Sequence, residues 1–507
     1  MYQVKHLFRL PVRLYSSLPP KFNPWQDYRA YLDQVKTYIN RLNPYVELDL
    51  RSAALNWDYI LNDENSQIIA ENIKQRKENE YADIEQIHAL HHDVQALFHR
   101  IEEKKLDPIQ GEDQIKLKIQ DLYNHALRIP NNTHPDVPIG NQEQARVVRL
   151  VGKKPETTGN SQTIDQIGQE LNLMQLENMG HVSFRGAYAL FGDFARLERA
   201  LMYYTFEKLT KNGFKLVSVP DIIHRGIIES CGFPTKGKRS QVYQLDYGEE
   251  FGRYCLAGTS EMPIAGLLKH NTFRKDELPL KLAAYYGEEF GRYCLAGTSE
   301  MPIAGLLKHN TFRKDELPLK LAACSRCYRA ELPGGKGEGN LYRVHEFNKV
   351  EMFAVTTDDD DVSQEMHNEI VRLESSMFEE LGLHFRVLDM PSEELGLSAH
   401  RKYDIETWMP AKGFYGEISS ASNCTDFQSR RLHIKYIDDN GDERFVHTLN
   451  GTAMAIPRML TAIIESNWKP DIGQVQIPVP LRAFMGNREF ISKTSATPRT
   501  QWIKFLS

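Results

Sequence analysis

The stretch 324–355 gathers side chains able to hold a phosphate and a planar ring: Arg329 and Glu331, then Arg343, His345, Phe347, Lys349 and Glu351. Two strand-like runs flank the loop Leu-Pro-Gly-Gly-Lys-Gly-Glu-Gly-Asn at 332–340, the pattern of a long antiparallel hairpin. Successive strand side chains point to opposite faces, so Arg329 and Glu331 share one face. Arg343, His345, Phe347, Lys349 and Glu351 likewise share one face of the returning strand. Charged groups around an aromatic make poor core. On such a face Arg329 would grip a phosphate through paired hydrogen bonds, and Phe347 would offer a platform to a planar base. A solvated face carrying surface ion pairs fits the same pattern.

Other elements must position this hairpin. Residues 195–210 carry a helical apolar pattern that leads through Gly213 into a strand-like run, 214–219, ending on Pro220. Phe385–Met390 and Lys402–Met409 read as strands, and 447–460 as a strand followed by a helix opening near Ala453. Residues 247–284 recur identically at 286–323, so Thr259-Ser-Glu261 has a double at Thr298-Ser-Glu300. Two undiverged units without caps do not make a solenoid; the pattern is that of a tandem duplication. Cys324 and Cys327 form a CxxC, but three residues apart on a strand they point to opposite faces, and no second pair follows at zinc-ribbon spacing. The acidic run Asp358–Asp361 precedes a helical pattern and reads as a solvated turn with an N-cap.

A chain of 507 residues has room for two or three domains. Hydrophobic residues make up 41%, and no apolar run approaches the roughly 20 residues of a membrane span, so no membrane partner is expected. A formal charge of -6 excludes a uniformly basic nucleic-acid coat but leaves room for a local basic strip. Six cysteines without a regular framework fit a reducing compartment. Residues 1–26 carry Lys5, Arg9, Arg13 and Lys21 with no acid before Asp27, interleaved with apolar residues. That opening reads as a mitochondrial transit peptide.

Ile84, Ile87, Leu90, Val94 and Leu97 recur at helical spacing; Pro108 and Gly111 break the pattern, and Ile115, Ile119, Leu122 and Ala126 restart it. Two such stripes predict an antiparallel helical hairpin. His88, His91 and His92 crowd the first helix, but the Glu of a zinc-protease motif is missing and a solvated face is expected. The Pro/Asn/Gly-rich run 129–140 marks a boundary.

Arg-Ala-Glu at 329–331, followed by Arg-Val-His-Glu-Phe-Asn-Lys-Val-Glu-Met at 343–352, resembles motif 2 of class II aminoacyl-tRNA synthetases. The variant is similar to that of seryl-tRNA synthetases, the mitochondrial type above all, and the likeness runs from about 130 to about 487. The helix and strand at 195–220 look like motif 1, and His447–Leu460 looks like motif 3. The resemblance implies an α+β fold: a class II antiparallel sheet flanked by helices, preceded by an N-terminal helical-hairpin arm. It implies a transit peptide at 1–26, a tRNA-binding arm at 27–135, a catalytic domain at 136–487 and a tail at 488–507.

It also implies ligation of L-serine to tRNA(Ser) through a seryl-adenylate, with ATP and Mg2+, by a homodimer in the mitochondrial matrix. By resemblance Arg329 and Arg458 are catalytic. Arg329, Ala330, Glu331, Val344, Phe347, Glu417, Ile418, Ser419, Ser420 and Arg458 contact ATP. Glu417 and Ser420 hold the metal. Thr298, Ser299, Glu300, Glu351, Asn450 and Thr452 form the serine pocket, with the second copy of Thr-Ser-Glu expected there. In the family, the loop before the returning strand carries Arg-Gly where this chain has Gly339-Asn340. A non-catalytic paralogue that binds tRNA or a partner protein, and a class II synthetase for another amino acid, are the alternatives.

Overall fold

Eight strands form the sheet that carries the site: β1 (Arg146–Val151), β2 (Lys215–Leu216), β3 (Leu319–Tyr328), β4 (Glu346–Thr356), β5 (Phe385–Asp389), β6 (Arg401–Met409), β7 (Phe414–Asn423) and β8 (His447–Ala455). The computed structural model describes residues 53–78, 82–103, 105–106, 108–155, 161–176, 187–235, 240–243, 293–295, 297–331 and 341–493. All of them belong to the unit that begins at Ala53. The transit-peptide segment 1–26, the first repeat copy and the loop 332–340 lie outside the described residues.

The sheet order is β1-β5-β6-β7-β8-β4-β3-β2, antiparallel throughout except for the parallel pair β2 and β3. Three long helices flank it: α4 (Gly192–Lys211), α6 (Asp360–Glu380) and α8 (Ile456–Asn467). Phe194, Leu197 and Leu201 of α4, Ile370 and Phe378 of α6, and Met459, Leu460 and Ile463 of α8 are buried in one continuous core with Val350, Met352 and Leu449 of the sheet. The helices follow the apolar spacing in the sequence, and the class II α+β architecture holds.

Some boundaries differ from expectation. The helix expected near Ala453 opens at Ile456, because β8 stays paired with β4 as far as Ala455 opposite Lys349. Pro457 then sits in the first turn, where a missing N–H costs nothing. The hairpin strands are shorter at the loop end. Arg329–Glu331 and Leu341–His345 lie outside β3 and β4, although the Arg329 N–H still donates to the His345 carbonyl at 2.8 Å. The expected tail from 488 begins later: Phe490–Ile491 pairs with Gln474–Gln476, Ile491 is buried, and Arg488 clasps Asp193 through two hydrogen bonds of 2.6 and 2.7 Å. Cys327 is buried while Cys324 lies against the Met202 sulfur, as opposite-facing neighbours would. Asp359 caps α6 by accepting from the Asp361 and Val362 N–H groups.

The predicted helical hairpin forms from α2 (Ile84–Glu102) and α3 (Pro108–Ala126). Gly111 does not interrupt it: α3 opens at Pro108, a favoured first helical residue. Ile84, Ile87, Leu122 and Ala126 pack with Ile69 and Ile73 of α1 (Ser66–Gln75) at its base, and Val94, Leu97 and Ile115 pack further out. His88 contacts the Ile60 carbonyl at 3.0 Å and Asp63 at 3.1 Å.

Arg76 ties this region to the core. Its guanidinium donates to Thr133 Oγ1 at 2.9 Å, to the Gly396 carbonyl at 2.8 Å and to the Ala399 carbonyl at 2.7 Å. Replacing Arg76 by alanine strands the buried Ala399 carbonyl and the half-buried Gly396 carbonyl, and a loss of about 3 kcal/mol is expected in urea unfolding. A change below about 0.5 kcal/mol would show that the tie carries no stability.

Candidate active site

The cleft opens where two central strands part. β7 and β8 pair only through Ala421–Gly451, Ser422–Asn450 and Asn423–Leu449. Beyond Gly451 the ladder stops, and two irregularities re-aim the side chains. Ile418 is an unpaired extra residue opposite the Ile405–Glu406 step of β6, and Ala453 is one opposite the Val350–Glu351 step of β4. Bulges of this kind bend a strand and turn its side chains out of strict alternation. Both bulged residues are buried, so they anchor the distortion.

A cleft of roughly 500 Å3, open to solvent, results. Its walls include Arg329, Phe347, Lys349, Glu417, Thr452 and Arg458. The Arg329 guanidinium stands 5.3 Å from the Phe347 ring centroid and its Nε donates to the Gly297 carbonyl at 3.3 Å. Arg343 donates to Glu331 at 2.6 Å, which orients that carboxylate at the cleft edge. Arg458 donates to the Glu417 carbonyl at 3.0 Å, meets its Oε2 at 3.1 Å and lies 4.8 Å from the Tyr342 ring centroid. The desolvation of the cleft would raise the Glu417 carboxyl, but Arg458, Lys402 and Arg329 outweigh it and hold the group below the ordinary carboxylate range. Glu417 therefore stays anionic. With the Ser420 hydroxyl on the same wall, it offers the oxygen donors that a hard cation takes.

A second cluster lies deeper. Thr452 stands directly opposite Glu351 in the β8–β4 ladder, which puts the two side chains on one face of the sheet. Thr298 Oγ1 donates to Glu351 Oε2 at 3.1 Å, Thr452 Oγ1 donates to the same atom at 3.4 Å, and the Lys349 ammonium pairs with it. Lys349 also donates to Thr452 Oγ1 at 3.3 Å. Both members of the ion pair are buried, as is Thr298.

Behind this cluster, Glu300 opens α5 (Glu300–Leu307) and accepts a 2.6 Å hydrogen bond from Gln428 of α7 (Phe427–Leu432). Burial, and then the nearby Glu351 carboxylate, push Glu300 up to about 8.

The structure thus brings Arg329, Glu331, Val344, Phe347, Glu417, Ile418, Ser419, Ser420, Thr452 and Arg458 to one cleft. Thr298 and Glu351 join it through hydrogen bonds. The remaining expected residues do not line it. Ala330 gives its N–H to the Gln241 carbonyl, Ser299 hydrogen-bonds Ser325 at 2.8 Å, Asn450 accepts from Cys424 Sγ at 3.8 Å, and Glu300 is held by Gln428. They shape the pocket from behind. The Thr-Ser-Glu at the site is the second copy; Thr259–Glu261 lie outside the described residues. Lys349 and Tyr342 line the cleft without having been assigned to it. Lys349 alternates with Phe347 and Glu351 on the face already picked out in the sequence, where it was given no role; Tyr342 gives no such signal, since it sits in the turn before β4.

Comparison with known proteins places the chain in a family. Residues 287–467 match the tRNA synthetase class II core domain family (G, H, P, S and T), a match that begins with the second repeat copy. The mitochondrial serine–tRNA ligase of Saccharomyces cerevisiae is 34% identical over 499 residues, 96% of this chain and 100% of that protein. The chain belongs to the serine–tRNA ligase family. The mitochondrial serine–tRNA ligase of Mus musculus is 39% identical over 391 residues, 77% of this chain and 67% of the relative.

Among solved structures, the cytoplasmic serine–tRNA ligase of Naegleria fowleri in complex with AMP aligns at a TM-score of 0.69 and 25% identity, covering 88% of this chain and 99% of the other. The seryl-tRNA synthetase of Pyrococcus horikoshii complexed with ATP shares the fold, at a TM-score of 0.64 and 24% identity over 87% of this chain and 100% of its own.

Proposed function

We propose that the chain activates L-serine with ATP and transfers it to tRNA(Ser) for translation in the mitochondrial matrix. The observation that carries this reading is the convergence of Thr298, Thr452 and Lys349 on Glu351, beside a cleft lined by both Arg329 and Arg458. Phe347 provides the face on which adenine stacks, with Glu331 at the ring edge. Arg329 and Arg458 neutralise the triphosphate. Glu417 and Ser420 would hold Mg2+, which supplies further charge neutralisation on the phosphates when bound.

Serine's ammonium is received by Glu351, and its hydroxyl by the Thr298 and Thr452 hydroxyls. Pocket groups that pair with a hydroxyl are left unpaired by alanine, which is rejected for that reason. A serine carboxylate oxygen attacks the α-phosphorus in line. The new P–O bond gives seryl-adenylate, the bond to the β-phosphate breaks and pyrophosphate leaves. Positioning and charge neutralisation suffice for this step, so no side-chain nucleophile is required. The terminal ribose hydroxyl of the tRNA then attacks the seryl carbonyl carbon, and AMP departs.

In this reading residues 27–135 form the arm that meets the tRNA, 136–487 the catalytic domain, and the helix and strand at 192–216 the homodimer contact. A paralogue without catalysis would keep the fold while losing cleft residues; Arg329, Glu331, Glu351 and Arg458 are all in place.

The test is serine-dependent ATP–pyrophosphate exchange by the full-length chain and by a version lacking 247–285. The described site draws only on the second copy, so the shortened chain is expected to exchange at least as fast as the full one. Silence from both, with native circular dichroism, would contradict the reading.

A further inference from the structure

Beneath the point where β7 and β8 part lies a carboxyl that the mechanism does not use. Glu374, in the middle of α6, is fully buried, and neither of its oxygens accepts a hydrogen bond from any of the described residues. It reaches the sheet through a gap left by Gly451. A Cβ at that position would fall 2.6 Å from Glu374 Oε1 and 2.4 Å from Ile370 Cγ2. The polar group beside the carboxyl is the Ser419 hydroxyl, and the charged groups facing it are Glu351 and Lys349 of β4 and Asp404 of β6.

Ser419 is where the ladder fails. The last β7–β8 pair is Ala421–Gly451, and past it the Ser419 hydroxyl donates to the Thr452 carbonyl at 2.6 Å, replacing the missing backbone donor. Thr452 is the residue whose own hydroxyl faces Glu351. A hydroxyl that donates to Thr452 keeps its lone pairs free to accept, and a buried neutral carboxyl has one O–H to give. Burial, with the carboxylates of Glu351 and Asp404 nearby, favours that neutral form.

We propose that Glu374 is a positioning residue for the serine pocket, donating to Ser419 and through it fixing the Thr452 carbonyl and with it the strand segment that carries the Thr452 hydroxyl. This rests on the serine-activating reading above. Glu374 touches no substrate; it acts on serine recognition through Ser419 and Thr452.

The experiment measures KM for serine and for ATP in pyrophosphate exchange, with thermal unfolding, for the parent chain and for Glu374→Gln, Glu374→Met, Ser419→Ala and the Glu374→Met/Ser419→Ala pair. Glutamine keeps a donor and is expected to hold the serine KM within about twofold. Methionine fills the space without a donor and is expected to raise the serine KM about fivefold or more, the equivalent of one net hydrogen bond. The ATP KM should stay within about twofold and the melting temperature should not fall, because methionine removes an unpaired buried carboxyl. The double variant should be no worse than Ser419→Ala alone.

An unchanged serine KM in Glu374→Met, equal damage in Glu374→Gln, or additive effects in the pair would overturn the proposal. If Glu374→Met does not fold, Glu374→Gln and Ser419→Ala still decide it: the first must spare the serine KM and the second must raise it. A parent chain with no serine-dependent exchange would instead defeat the underlying functional reading.

Discussion

Replacing Arg458 by alanine is expected to lower the turnover of serine-dependent ATP–pyrophosphate exchange about 10²- to 10³-fold, the usual loss of a fixed charge aimed at developing negative charge. The position of the guanidinium argues for the upper part of that range. Arg458 is held by the Glu417 carbonyl and carboxylate and lies beside the Tyr342 ring, so it is set in place before any nucleotide arrives. Burial alone would lower its proton affinity; Glu417 and Tyr342 reverse that and keep it charged at all working pH values. Lysine should recover only a small part, since a point charge cannot meet Glu417 and a phosphate with the same planar fork. Turnover within about threefold of the parent would show that Arg458 does not contact the reacting phosphates.

Glu351→Gln is expected to act on two quantities at once. The substitution leaves Lys349 buried without its carboxylate, which costs about 3–5 kcal/mol of stability. It also removes the group that receives serine's ammonium, and kcat/KM for serine should fall about 10²–10³-fold. A companion separates the two effects. Lys349→Met added to Glu351→Gln removes the stranded ammonium, so stability should return while serine use should not. Recovery of both together would mean that Glu351 serves only to neutralise Lys349.

The parts of this site that were legible in the sequence are those carried by local pattern. Arg329, Phe347 and Glu351 lie on one hairpin whose alternation is visible in the chain, and the Thr298–Glu300 copy lies a fixed distance before it. What was not legible depends on partners far apart in the chain. Gln428 reaches Glu300 across 128 positions, and nothing in Asp-Phe-Gln-Ser-Arg-Arg says which of its members faces the pocket.

The start of α8 was misplaced because β8 continues to Ala455, and its ladder with β4 outweighs the local helical tendency of Ala-Met-Ala. The β8–β4 register that sets Thr452 opposite Glu351 leaves no mark in composition, and neither do the bulges at Ile418 and Ala453. Glu374 reads as one more acid on an amphipathic helix; only the gap above Gly451 shows that it faces inward.

The central claim is that Glu351 and the two threonines select serine. The most direct measurement is ATP–pyrophosphate exchange by the full-length chain with serine, alanine, glycine, threonine and proline side by side. The account predicts exchange with serine, and at least about 10³-fold less with alanine and glycine, which lack the hydroxyl that the pocket pairs. Exchange with alanine equal to that with serine, or exchange driven by proline alone, would contradict it.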